Sequence, residues 1–268
     1  MENLERRPIA VFDSGIGGLT VFKALSRRMP RESLIYFGDT AHVPYGSKSR
    51  EAVTRYSLEV ARFLDSKEIK AMVVACNTSS ALALSRVQKA LRVPVLGVIR
   101  PGAKAAADAT RTGRVGIIGT EATIASGAYT QALRENFPGV RIAAAACPLF
   151  VPLVEEGWWA HPVTREVARH YLKPLSRFRI DTLILGCTHY PLLKKPLREV
   201  LGPSVKLIDS AEQTAIETEE LLSRLKLLNR GGPGSWEFFV SDAPKRFLRL
   251  AKRLLGLSVS RVGLHQFD

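Results

Sequence analysis

Two stretches decide the fold: Met72-Val-Val-Ala-Cys-Asn-Thr-Ser-Ser80 and Leu183-Ile-Leu-Gly-Cys-Thr-His-Tyr-Pro191. In each, an apolar run stops at a cysteine, Cys76 or Cys187, and turns at once into polar residues or a proline suited to the first turn of a helix. Each reads as a buried strand that delivers a thiol to a helix start. Two of the three cysteines therefore hold equivalent places.

Working outward, the same grammar recurs. A strand over 9–12 runs into Asp13-Ser-Gly-Ile-Gly-Gly18 and then a helix over 19–28. The glycine turn suits an anion, but as a dinucleotide fingerprint it is weak, because the third glycine position falls on Thr20. A second strand over 34–38 leads into a polar loop over 39–46. A helix over 50–66, a strand over 71–75, a helix over 81–91 and a strand over 95–99 follow, until Arg100-Pro101-Gly102 breaks the pattern. The order then repeats, with strands over 115–119, 140–146, 182–186 and 205–208. Pairing Asp13 with Thr120, Phe37 with Ala146, Cys76 with Cys187 and Leu96 with Ile208 gives offsets of 107, 109, 111 and 112. Four landmarks at nearly constant offset predict an internal duplication.

Alternating strands and helices make parallel sheets covered on both faces, with ligands beyond the carboxyl ends of the strands. The expected fold is α/β: two pseudo-symmetric parallel-sheet domains facing each other across an active-site cleft, with one cysteine on each wall. Residues 211–268 add a helix, a Gly-rich link at 231–234, a strand over 236–240 and a helix over 243–255. The residues alone do not say which domain they join. On the last helix Lys245, Arg246, Arg249, Lys252 and Arg253 alternate with apolar residues, which describes an amphipathic helix with a solvated basic face.

The chain of 268 residues is long enough for two cores, and it contains no apolar run near the ~20 residues of a membrane span. Residues 1–7 carry no apolar signal core, so a cytoplasmic location is expected. Three cysteines make no disulfide framework and show no zinc-like spacing, so they are read as free thiols, with no metal. The net charge of +14 admits a nucleic-acid partner, but no aromatic interleaving or known binding motif supports one.

A thiol at a helix start has its pKa lowered from about 8.5, since free N–H groups favour the thiolate. One such thiol on each side of a cleft fits removal of a proton from one face of a carbon and its return to the other, the chemistry of a two-base racemase or epimerase. His189, two residues beyond Cys187, can shuttle a proton to it, and Asp13 can do the same for Cys76. A lone strand cysteine is usually a small buried hydrophobe. The duplication and the polar flanks reverse that reading for Cys76 and Cys187, whereas Cys147, without such a flank, reads as structural.

Five segments carry a resemblance: residues 12–20 (Phe-Asp-Ser-Gly-Ile-Gly-Gly-Leu-Thr), 38–46 (Gly-Asp-Thr-Ala-His-Val-Pro-Tyr-Gly), 75–80 (Ala-Cys-Asn-Thr-Ser-Ser), 147–155 (Cys-Pro-Leu-Phe-Val-Pro-Leu-Val-Glu) and 186–191 (Gly-Cys-Thr-His-Tyr-Pro). Together they resemble the glutamate racemase family over about residues 9–222. The resemblance implies cofactor-independent interconversion of L- and D-glutamate, supplying D-glutamate for peptidoglycan. It implies that Cys76 acts on the D-enantiomer and Cys187 on the L-enantiomer, with Asp13 and His189 assisting and Glu155 orienting the histidine. By the same match Ser14, Tyr45, Gly46, Asn77, Thr78, Thr123, Thr188 and His189, with Asp13, bind substrate. The implied domains are 1–99 with 210–268, and 100–209; the expected partners are glutamate and a second copy of the chain. Two positions depart from the pattern: Arg100, where an acidic residue is usual, and His42, where arginine is common.

The nearest rival is an aspartate or hydantoin racemase with the same paired cysteines, and the flanks of Cys76 and Cys187 with Pro44-Tyr45-Gly46 favour glutamate. A rival of another class is a basic protein acting on nucleic acid or on a nucleic-acid enzyme such as gyrase. It predicts salt-dependent DNA association that survives loss of both thiols.

Overall fold

The computed structural model describes residues 4–256, 259 and 261–267, apart from the side chains of Leu254 and Leu255. The start of the N-terminal reading, residues 1–3, and those two leucines of the basic helix thus lie outside the described residues. Among the described residues there are ten strands: β1 Ile9–Asp13, β2 Leu34–Gly38, β3 Ala71–Val74, β4 Val95–Gly97, β5 Arg114–Gly119, β6 Arg141–Ala146, β7 Thr182–Gly186, β8 Lys206–Ile208, β9 Trp236–Val240 and β10 Gly263–Leu264. They form two sheets, one of order β10-β9-β2-β1-β3-β4 and the other of order β6-β5-β7-β8. Every pairing is parallel.

The duplication predicted from the offsets is visible in these orders. Four strands of the first sheet run β2-β1-β3-β4, and the second repeats that order as β6-β5-β7-β8. Register shifts by one residue between the copies: Phe12 pairs with Val74, two residues before Cys76, whereas its counterpart Gly119 pairs with Gly186, the residue before Cys187. The C-terminal residues, which the sequence left unassigned, add β9 beside β2 and β10 beside β9.

Both faces of each sheet are covered, which explains why the strands read as continuous apolar runs. In β1, Ile9 and Val11 point to the side packed by the helices Leu19–Arg28, Ser210–Arg224 and Pro244–Leu255. Ala10 and Phe12 point to the side packed by Arg50–Asp65 and Leu84–Ala90. In the second sheet Ile118, Leu183 and Leu185 meet the helices Phe150–Glu155, Pro162–Arg177 and Lys194–Leu201. Val115, Ile117 and Ile184 meet Ile99–Ala109 and Ala128–Asn136.

Two local expectations are corrected. Arg100-Pro101-Gly102 does not break the chain; it forms the first turn of the helix Ile99–Ala109. Proline is tolerated there because the N–H it lacks has no intrahelical acceptor. The helix expected over 81–91 starts earlier, at Asn77, and is divided at Ala83 into Asn77–Leu82 and Leu84–Ala90. Among the described residues no helix is long and apolar enough to cross a membrane.

Candidate active site

The carboxyl ends of β1 and β3 bring Asp13, Ser14 and Cys76 together. Cys76 is the N-cap of Asn77–Leu82, its sulfur accepting from the Ser79 N–H at 3.5 Å while its thiol reaches Ser14 Oγ, also at 3.5 Å. Asp13 is fully buried and accepts from the Gly15 N–H at 3.0 Å. The helix start does not lower the Cys76 pKa as expected. Burial, reinforced by the neighbouring Asp13 charge, pushes it up to about 11. Burial likewise raises Asp13, against the opposing pull of His189 and of its own hydrogen bonds.

Cys187 follows β7 but caps no α-helix. Thr188 and His189 intervene, and Tyr190–Leu193 forms a 3-10 turn before the helix Lys194–Leu201. The resulting turn sets the Cys187 sulfur 3.8 Å from His189 Nδ1, while His189 Nε2 lies 3.3 Å from Glu155 Oε1. An ionised carboxylate only accepts, so Nε2 donates to Glu155 and Nδ1 is the ring atom that exchanges a proton with the thiol. Burial alone would lower the His189 pKa. Its hydrogen bonds to Cys187 and Glu155, with their charges, instead hold it up at about 10.

The two halves meet at this point. Thr188 of the second donates to Asp13 Oδ1 of the first at 3.3 Å. A side chain on Gly17 would place its Cβ 2.3 Å from Thr188 Oγ1 and 2.8 Å from His189 Nδ1, and one on Gly46 would meet Thr120 Cβ at 2.4 Å. Both glycines are therefore demanded by close approach of the two halves rather than by backbone conformation.

Every predicted site residue except Glu155 is buried. Thr78 and Thr123 join a triangle of buried hydroxyls with Thr120, with edges of 3.0, 3.2 and 2.9 Å. Asn77 accepts from the Tyr129 hydroxyl at 2.6 Å. The Tyr45 hydroxyl is held by Asp39, whose other oxygen accepts from Ser241 at 2.6 Å. Thr120, Tyr129 and Asp39 were missed. For Thr120 the signal existed, since it stands opposite Asp13 in the duplication. Tyr129 and Asp39 act through partners whose contact no local pattern announces.

Cys147 is buried and unpaired, its thiol 3.7 Å from the Ala145 carbonyl, in keeping with a structural role. Of the two departures, Arg100 pairs with Glu135 at 3.2 Å on the surface. His42 lies against Asp39 at 3.0 Å and stacks on Tyr56 at 4.0 Å. Among the described residues no three His, Cys, Asp or Glu side chains converge as a group that could hold a metal.

Paired thiols at matched strand ends, each with its own acid/base partner, are the arrangement of a two-base racemase. Residues 18–218 match the model of the Asp/Glu/Hydantoin racemase family. The chain belongs to that family. A glutamate racemase of Geobacter metallireducens is 54% identical over 251 residues, covering 93% of each chain. The crystal structure of a Thermus thermophilus glutamate racemase in complex with beta-chloro-D-alanine has a TM-score of 0.89 at 49% identity, covering 98% of both chains. That of a Francisella tularensis glutamate racemase in complex with D-glutamate has a TM-score of 0.92 at 39% identity, again covering 98% of both. This member of the Asp/Glu/Hydantoin racemase family thus shares nearly its whole length with proteins named for glutamate.

Proposed function

We propose that the chain is a glutamate racemase that interconverts L- and D-glutamate by two-base proton transfer at the α-carbon, supplying D-glutamate for peptidoglycan. The observation that carries this reading is the placing of Cys76 and Cys187 after equivalent strands of two sheets that share one strand order. In this reading residues 1–99 with 210–268 form the domain carrying Cys76, and residues 100–209 the domain carrying Cys187. The free thiols support a cytoplasmic location. The exposed apolar side chains Leu149, Trp158 and Val163 support a homodimer.

In the L-to-D direction the proton shared by Cys187 and His189 rests on His189 Nδ1, and the Glu155 carboxylate stabilises that imidazolium. The Cys187 thiolate then takes the α-proton of L-glutamate, forming S–H as C–H breaks and leaving the electron pair on the carbon. Cys76 delivers its own proton to the opposite face, which yields D-glutamate and a Cys76 thiolate. A thiol with its pKa near 11 is protonated at neutral pH and ready to deliver. In the reverse direction Asp13 assists Cys76.

Ser14, Gly46, Asn77, Thr78, Thr123, Thr188 and His189 hold the substrate by hydroxyl, amide, ring and main-chain donors. Tyr45 contributes through its main chain, since Asp39 holds its hydroxyl. No arginine stands among these positions, so no permanently charged guanidinium holds the thiolates as ion pairs.

The test is proton NMR of the protein with L-glutamate in D₂O under reducing conditions and without added cofactor, followed by chiral analysis. Loss of the α-proton signal with appearance of D-glutamate is the expected result. Exchange of L-aspartate or a hydantoin in place of glutamate would overturn the substrate, and no exchange of any of them by folded protein would overturn the reaction.

A further inference from the structure

The relay behind Cys187 does not end at Glu155. While Glu155 Oε1 faces His189, its other oxygen, Oε2, lies 3.3 Å from Arg246 Nη2, and the same guanidinium stands 3.9 Å from Glu156. Arg246 belongs to the helix Pro244–Leu255, whose Phe247, Leu250 and Ala251 are buried in the core of the first sheet. The cation therefore reaches from one half of the molecule to a carboxylate of the other.

Three further observations show that this contact is built. The helix crosses the turn after Glu155, where the Arg253 guanidinium lies 5.1 Å over the Trp159 ring. Gly157, in the left-handed region at φ 78°, leaves the room Arg253 occupies, because a Cβ there would fall 2.4 Å from the guanidinium. The Arg246–Glu155 pair also lines a small cavity of about 80 Å³ together with Gly15, Ile16 and Val43, beside the loops that carry Asp13, Ser14 and Tyr45. Although all five cations of the basic helix are exposed, as its amphipathic pattern predicted, Arg246 and Arg253 are committed to the opposite half.

We propose that Arg246 is a positioning residue that completes the Cys187 relay from the opposite half, so that His189 is best set to exchange a proton with Cys187 when the halves are closed. The inference rests on the two-base reading above. With Arg246 in place, Glu155 keeps one oxygen aimed at Nε2, which holds the ring so that Nδ1 faces the Cys187 sulfur and exchanges its proton there. Opening the cleft withdraws Arg246 with the first half. Glu155 then loses the partner that holds its second oxygen, and the relay is slackened while substrate enters or leaves.

The test is the Arg246→Met variant, assayed in both directions with α-deuterated L- and D-glutamate. Half of the Arg246 side chain is exposed, so kcat falls only about fivefold, the rate equivalent of the upper range for an exposed ion pair. The isotope effects decide the matter. Slowing the Cys187 step alone raises the substrate isotope effect from L to D, because abstraction becomes more limiting. From D to L it falls toward unity, because return of a solvent-derived proton limits instead. Arg246→Lys should restore part of both shifts, and Arg249→Met, an exposed cation on the same helix, should leave them at wild-type values.

Unchanged isotope effects in Arg246→Met, or equal changes in both directions, would overturn the proposal. Normal turnover by Cys187→Ser would instead remove the two-base reading beneath it, which separates the two failures.

Discussion

The two thiol-bearing turns began as copies and now differ in almost everything except position. Cys76 caps a helix and keeps company with a hydroxyl and a buried carboxyl, Ser14 and Asp13. Cys187 caps none and is followed by a histidine, a carboxylate and an arginine strung toward the surface. The first thiol is sealed with a raised pKa, while the second is wired to a proton store. The duplication thus preserved where a thiol is delivered, and each copy's neighbours then assigned its chemistry.

The largest effect expected is from the thiols themselves. Cys76→Ser and Cys187→Ser should each lower racemisation by about 10⁴-fold or more with an unchanged circular-dichroism spectrum, since a serine alkoxide is out of reach at neutral pH. Near-normal turnover by either would break the comparison at its root. Asp13→Asn and His189→Asn should each cost about 10²- to 10⁴-fold. The difference between the copies predicts opposite isotope effects: His189→Asn makes abstraction from L-glutamate more limiting, and Asp13→Asn does so for D-glutamate.

Gly17→Ala should cost about 10²-fold in kcat, because the added methyl meets Thr188 and His189 and holds the halves apart at the relay. A stability measurement distinguishes this from misfolding, as the methyl lies at the cleft and not in either core. Thr120→Val tests the copy of Asp13 in the second half. It removes one hydroxyl from a triangle whose other two members still pair, so KM should rise about fivefold, the equivalent of about 1 kcal/mol.

The smallest effect is on stability at high pH. The folded-state pKa values of His189 and Cys76 stand at about 10 and about 11, above their ordinary 6.5 and 9.0. Both groups therefore bind more protons folded than unfolded, the first between pH 6.5 and 10 and the second between 9 and 11. Their contribution is fully present below those windows and is lost as pH rises through them. Urea midpoints should fall across pH 7–11, with a shallower fall above pH 9 in Cys76→Ser. A flat wild-type profile would contradict this.

Much of the molecule was legible in its sequence because both faces of each sheet are covered. Strands such as Leu34–Gly38 and Thr182–Gly186 are continuous apolar runs ending at polar residues, and their ends are where the chemistry sits. The parts that could not be read depend on contacts between distant residues. Asp39 meets Ser241, Asp13 meets Thr188 and Glu155 meets Arg246, separations that leave no periodic trace. The direction of the Cys76 pKa was misjudged for the same reason. A helix start is visible in sequence, whereas the burial that outweighs it and the Asp13 charge that reinforces the burial are properties of the assembled cleft.

The repeated strand order has one more consequence. Both copies are built from L-residues, so they can be superposed only by rotation, never by reflection. Yet L- and D-glutamate are mirror images. A twofold rotation that exchanges the two faces of the deprotonated carbon also exchanges two of its substituents, and a carboxylate and an ammonium cannot trade places unnoticed. Gene duplication could therefore supply two thiols, but handedness forbade it from supplying two equivalent half-sites.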